Sequence, residues 1–278
     1  LSTDLVKQCL VNFLDLEPIV EEQKEVPAVG PRPPVLCPGC PHRASFYAVK
    51  QAMQKKKAVF CGDIGCYTLG NAKPLEMTDT CLCMGAGITM AQGLQIVQPD
   101  QVPFAFVGDS TFFASGLTGI ANAVYNETPL ILMVLDNSTT AMTGHQPHPG
   151  IGRTLMGHQH KPMDIPKVLE AMGVEFVERC NPFDQEKMID TVARAVDYGG
   201  VAAIICEAPC IFLHKGDPPH YITDECINCR RCINETGCPA LVQGEEQVTI
   251  DPSLCNGCTL CASVCPVNAI KEGEDQHD

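Results

Sequence analysis

From Val35 to about position 215, short apolar runs alternate with helical patterns. Runs at 58–61, 103–107, 130–135, 174–177 and 201–206 are largely apolar, as expected of strands covered on both faces. Between them, 42–54, 87–97, 115–125, 165–172 and 184–198 carry apolar residues three and four apart, which predicts helices. This alternation predicts an α/β layer on a parallel sheet. Ahead of it, residues 1–24 read as an amphipathic helix and its exit, with Leu5, Val6, Cys9, Leu10, Phe13 and Leu14 at helical spacing. Residues 26–34 are a proline-rich linker. From Tyr221 to Glu272 the pattern gives way to cysteines and turns. The expected domains are therefore 1–34, a helix and linker; 35–219, the α/β domain; and 220–278, a small cysteine-rich domain.

Composition narrows the function. The length of 278 residues allows one sizeable domain and one small one. The net charge of −14 argues against nucleic acid as a partner. The stretch from His220 onward holds ten Asp/Glu against three Lys/Arg, a balance that suits either an electron-transfer module or plain solubility. No apolar run approaches the roughly 18 residues of a membrane span. The first ten residues show no secretory pattern. The chain starts at Leu1 without Met, as the end of a longer polypeptide or a cleavage product does. Eighteen cysteines in a chain this long, at metal-site spacings, point to a reducing cytoplasm and not to a disulfide framework.

Eight of those cysteines form two runs. Cys226, Cys229, Cys232 and Cys238 precede Pro239, and Cys255, Cys258, Cys261 and Cys265 precede Pro266. Three thiolates at C-x2-C-x2-C wrap one [4Fe-4S] cluster, and the fourth reaches the other cluster. The expected sets are Cys226, Cys229, Cys232 and Cys265, then Cys238, Cys255, Cys258 and Cys261. Zinc ribbons or structural thiols are the alternative. Five residues separate Cys232 from Cys238, where ordinary bacterial ferredoxins have three. A cluster with altered potential, prone to lose one iron, is an expectation from that longer loop.

In the α/β part, Gly108-Asp109-Ser110 follows one strand and Asp136-Asn137 ends the next. Open α/β sheets bind ligands at such strand ends. Asp109, Asn137 and a backbone carbonyl near Thr139, with two phosphate oxygens, would complete a magnesium site. Met84-Gly85-Ala86-Gly87 ahead of a helix is a second phosphate-cradle candidate, although small residues there also ease helix packing. Four further cysteines, Cys37, Cys40, Cys66 and Cys210, come from three strand-end loops and are placed to close around a third cluster; a catalytic or structural thiol set is the competing reading. Cys9, Cys61, Cys81, Cys83, Cys180 and Cys206 have no matching spacing and mostly read as small buried hydrophobes. His42 and Arg43 begin a helix and are candidates to touch substrate or cofactor, with helix-start packing as the alternative. Of His145, His148, His158 and His160, one or two are expected to line the substrate pocket and the rest to be solvated, a metal site being the alternative.

The GDS…DN pair resembles the thiamine diphosphate fingerprint, with Ser110 and Asp136 as departures. With the CPGCPHR segment 37–43, the loop 136–146 and the two-cluster tail, it resembles the 2-oxoacid:ferredoxin oxidoreductases. Within them it is similar to the C-terminal half of the large subunit in the branch acting on indolepyruvate. The resemblance covers roughly residues 30–270. It implies a diphosphate-type thiamine-binding parallel-sheet domain followed by a two-cluster ferredoxin-like domain. Thiamine diphosphate and Mg2+ would be held by Gly85, Ala86, Gly87, Gly108, Asp109, Ser110, Asn137, Thr139, Thr143 and Gly144. Cys37, Cys40, Cys66 and Cys210 would hold a proximal cluster, the third. The implied reaction is oxidative decarboxylation of an aryl 2-oxoacid, with coenzyme A receiving the acyl group and ferredoxin the electrons. The pyrimidine-binding module would come from another segment or subunit, in a hetero-oligomer. Siblings acting on pyruvate or 2-oxoglutarate, and an electron-transfer subunit without thiamine chemistry of its own, remain open.

Overall fold

The computed structural model describes residues 2–17, 29–31, 33–214 and 216–273. Residues 1–33 and 34–278 form two separate units. In the first, α1 (Thr3–Phe13) is capped by Ser2, whose hydroxyl accepts the Leu5 N–H at 3.2 Å. None of its residues is buried. The exit expected at 18–24, and most of the proline-rich linker, lie outside the described residues.

The second unit is built on five parallel strands: β1 (Ala58–Cys61), β2 (Val102–Gly108), β3 (Leu130–Asp136), β4 (Phe176–Cys180) and β5 (Val201–Glu207), in the order β1-β2-β3-β5-β4. Successive side chains supply opposite faces. Phe104 and Phe106 of β2, with Ile131, Met133 and Leu135 of β3, face α2 (Pro41–Ala52) and α7 (Gln185–Tyr198). Ala105, Val107, Leu130, Leu132 and Val134 face α3 (Ala86–Val97), α5 (Leu117–Tyr125) and α6 (Ile165–Ala171). Helices on both faces explain why these strands read as unbroken apolar runs. The helix expected from 115 begins earlier, with α4 (Asp109–Thr111) and a π turn (Phe112–Gly116) leading into α5.

The cysteine-rich tail is more regular than its sequence suggests. It holds α8 (Arg231–Thr236), α9 (Leu260–Val264) and two small antiparallel pairs. β6 (Tyr221–Ile222) pairs with β9 (Ile270–Lys271), and β7 (Leu241–Gln243) with β8 (Val248–Ile250). Leu260 and Val264 of α9 join the core on the α2 face of the sheet, which fixes the tail against the α/β layer. Of the six unassigned cysteines, Cys61, Cys180 and Cys206 are buried as expected, whereas Cys9, Cys81 and Cys83 are exposed.

Candidate functional site

β2 and β3 end side by side, with Gly108 opposite Leu135. Both continue at once into polar residues, and there Asp109 (3% exposed), Asn137 and Thr139 are buried. Asp109 Oδ1 accepts the Ser110 N–H at 2.7 Å and Oδ2 accepts the Asn137 N–H at 3.2 Å. Among the described residues the ion-pair neighbour of this carboxylate is His148, whose Nε2 lies 3.1 Å from Oδ2 without hydrogen-bond alignment. Burial first, then the nearby Asp109 charge, holds the Asp136 carboxyl above the usual carboxylate range. Two carboxyls thus share a buried strand edge with no lysine or arginine ion-paired to either among the described residues. This surplus of negative charge, set among hard oxygen donors, fits a divalent cation of the magnesium type.

The cradle beside it is built by close approach. Gly85, the residue before α3, has φ +82°, and a Cβ on it would lie 2.6 Å from Ser115 Oγ. Ser115 Oγ donates to the Met84 carbonyl at 3.1 Å, so the 84–87 turn packs directly on the stretch that follows Asp109. Two residues outside the expected set organise this contact. Asp63, after β1, accepts the Gly85 N–H at 2.9 Å through Oδ1 and the Tyr67 hydroxyl at 2.9 Å through Oδ2. Tyr67 in turn stands 3.5 Å from Thr111 Oγ1. The signal for Asp63 was present in the sequence: it is an acid just past a strand, as Asp109 is. Tyr67 left no such trace, whereas His148 is one of four histidines in or after the loop that starts at Asp136.

Cys37, Cys40, Cys66 and Cys210 line one cavity, together with His42, Asn137 and His145. The Cys210 N–H donates to the Asn137 carbonyl at 2.9 Å, which ties this thiol's loop to the Asp109 edge. His42 is buried, with Nε2 3.3 Å from Asn137 Nδ2, and burial pushes its imidazole down to about 4. It is therefore a neutral ring at neutral pH. Arg43 turns elsewhere. It lines a second cavity, with Cys238, Cys255, Cys258 and Cys261. A third is lined by Cys226, Cys229, Cys232 and Cys265. Among the described residues no three His, Cys, Asp or Glu converge tightly enough for a single ion. Thiols spread around cavities suit a multi-iron cluster better than a tetrahedral zinc. Thr143, Gly144 and His145 are exposed, and their loop closes on itself, with Thr143 Oγ1 2.6 Å from Gln146 Oε1.

Residues 63–206 match the family described as thiamine pyrophosphate enzyme, C-terminal TPP binding domain. The chain belongs to that family. Residues 248–271 match a 4Fe-4S binding domain, which covers the second tail run. The chain is 46% identical to the indolepyruvate oxidoreductase subunit IorA of Archaeoglobus fulgidus over 92% of its own length and 42% of that protein. It is 42% identical to the subunit of the same name from Methanothermobacter thermautotrophicus, over 97% of this chain and 45% of the other. It spans less than half the length of these relatives. A solved 2-oxoglutarate:ferredoxin oxidoreductase from Magnetococcus marinus, with 2-oxoglutarate, coenzyme A and succinyl-CoA bound, superposes with a TM-score of 0.57 at 20% identity. That match covers 65% of this chain and 66% of the other, and shares the fold. No helix among the described residues is long and apolar enough to cross a membrane.

Proposed function

We propose that this chain is the diphosphate- and metal-holding half of a 2-oxoacid:ferredoxin oxidoreductase that decarboxylates an aryl 2-oxoacid of the indolepyruvate kind. Its own part is to hold thiamine diphosphate and to carry electrons away. The observation that carries the proposal is the shared cavity of Cys37, Cys40, Cys66 and Cys210, which also has Asn137 in its wall. A cysteine cage that abuts the cofactor edge suits an oxidative thiamine enzyme and has no use in a non-oxidative one.

Bound thiamine diphosphate supplies the electron sink that lets a 2-oxoacid lose carbon dioxide. Asp109, Asn137 and Thr139 would hold magnesium, and the Gly85–Gly87 turn, Gly108 and Ser110 would shape the diphosphate pocket. Asp63 and Tyr67 fix that turn in place. His42, a neutral ring packed against Asn137, would help to orient that amide. The three cysteine cages would hold [4Fe-4S] clusters, which pass electrons singly to ferredoxin. Coenzyme A would take the acyl group, as the substrate and product bound in the Magnetococcus marinus enzyme suggest. The pyrimidine-binding module would come from a further segment or subunit.

The test is the assembled enzyme, assayed for ferredoxin reduction with indolepyruvate, pyruvate and 2-oxoglutarate in parallel. Coenzyme A-dependent turnover with indolepyruvate foremost supports the proposal. Bound iron with no thiamine diphosphate would leave an electron-transfer subunit instead.

A further inference from the structure

Arg43 is a buried cation that the thiamine site does not use. It lies in the first turn of α2, three residues after Cys40, and is 4% exposed. Its Nη1 donates to the Thr236 carbonyl at 2.6 Å, and its Nη2 donates to the Leu36 carbonyl. Its Nε has no partner. Among the described residues no carboxylate forms an ion pair with it. Burial pushes the guanidinium down, and the charges of Cys238, Cys40, Cys258 and Cys37 push it back up. A buried guanidinium held only by two neutral carbonyls is costly to desolvate, so a further negative partner is called for.

The surroundings supply the candidate. Cys40 lines both the cavity of Cys37, Cys66 and Cys210 and the cavity of Cys238, Cys255, Cys258 and Cys261. Arg43 lines the second of these, as does His220, which is buried with an unpartnered Nδ1. Two orphaned nitrogen positions therefore belong to residues on the wall of one cysteine cage, and each suits an N–H···S bond to a cluster.

The longer Cys232–Cys238 loop completes the arrangement. Residues 233–236 of that loop belong to α8, which packs on α2. The Tyr47 hydroxyl donates to Glu235 Oε2 at 3.0 Å, and Thr236 supplies the carbonyl that holds Arg43. Gly237 ends the helix at φ +60°, where a Cβ would come 2.4 Å from Pro74 Cδ. The loop that departs from ordinary ferredoxins is the one that seats the tail on the guanidinium.

We propose that Arg43 is a positioning residue shared by two adjacent iron–sulfur cages, and that its charge raises the potential of the cluster bound by Cys238, Cys255, Cys258 and Cys261. A fixed cation favours the more negative, reduced state of the cluster it faces. One electron then passes from the reduced cluster of Cys37, Cys40, Cys66 and Cys210 to the oxidised tail cluster, with no bond or proton exchanged. This inference rests on the cluster-binding reading above.

The test is an EPR-monitored redox titration of the assembled, air-free protein, with iron counted on each sample. Arg43→Gln removes the charge and keeps polar groups near the two carbonyls, Arg43→Lys keeps the charge, and Tyr47→Phe loosens the docking alone. The expected result is one midpoint potential moved negative in Arg43→Gln and kept close to wild type in Arg43→Lys and Tyr47→Phe. Loss of iron from Arg43→Gln but not from Arg43→Lys also supports the shared cation. Equal shifts in the Gln and Lys variants, equal iron loss in both, or no shift in Arg43→Gln with its iron intact overturns it. A wild-type protein without iron in the tail would instead remove the cluster reading itself.

Discussion

The Cys210 N–H donates to the carbonyl of Asn137 at 2.9 Å, joining a candidate cluster ligand to a candidate metal ligand through one backbone bond. The strand pair behind them is in register, with Leu135 opposite Cys206 and Asp136 opposite Glu207. The cysteine cavity and the Asp109 edge therefore meet at one strand end. The side chains of the two sites remain separable, and this is what the predictions use.

Cys210→Ala removes a thiol and keeps the backbone N–H. Iron is expected to fall by about four per chain, one cubane, while thiamine diphosphate and magnesium stay bound. Iron, sulfide and thiamine analysis of the same sample checks this.

Asp109→Ala should do the reverse. Magnesium and thiamine diphosphate are lost and iron is unchanged, because no cysteine cage depends on that carboxylate. Two backbone N–H groups also lose their acceptor. A cost of about 1–3 kcal/mol in chemical denaturation is expected if they stay unpaired.

Gly85→Ala places a Cβ against Ser115 at a positive φ. The 84–87 turn must then shift, and the affinity for thiamine diphosphate should fall at least about tenfold, the equivalent of about 1.4 kcal/mol. Calorimetric titration of the metal-loaded protein measures it, with iron content as the control.

Tyr67→Phe leaves one Asp63 oxygen without its hydroxyl donor. The expected loss of stability is about 1–2 kcal/mol, with a weaker thiamine diphosphate affinity and all iron retained. Denaturation midpoints and the same titration decide it.

Much of this was readable in the chain. β1 matches its expected limits, and β2, β3 and β5 extend theirs by one residue at one or both ends, because strands covered on both faces leave long apolar runs. β4 was displaced by two residues. Val174 is buried, with its N–H bonded to the Leu169 carbonyl, and so caps the preceding helix; the strand itself runs on through Glu178 and Arg179 at the sheet edge. The polar residues of an edge strand hide it from a search for apolar runs. The start of the helical stretch at Asp109 was hidden by the π turn, which breaks the 3.6-residue period. The two tail cysteine sets were legible from spacing, and the set of Cys37, Cys40, Cys66 and Cys210 from strand-end positions and the family resemblance; each set lines a cavity, with Cys40 on the wall of two. The contacts of Asp63, Tyr67 and His148 were not legible, although the place of Asp63 just past a strand was, since only the fold brings these side chains beside Gly85 and Asp109. Arg43, a candidate for substrate, cofactor or helix-start packing, lines a cysteine cavity, because α2 turns its first-turn arginine toward the tail.

The most direct test of the account is iron and acid-labile sulfide per chain in protein purified without air. Three cubanes require about twelve irons with matching sulfide, falling to about eight in Cys66→Ser. About eight irons in the wild-type chain, unchanged by Cys66→Ser, would contradict it.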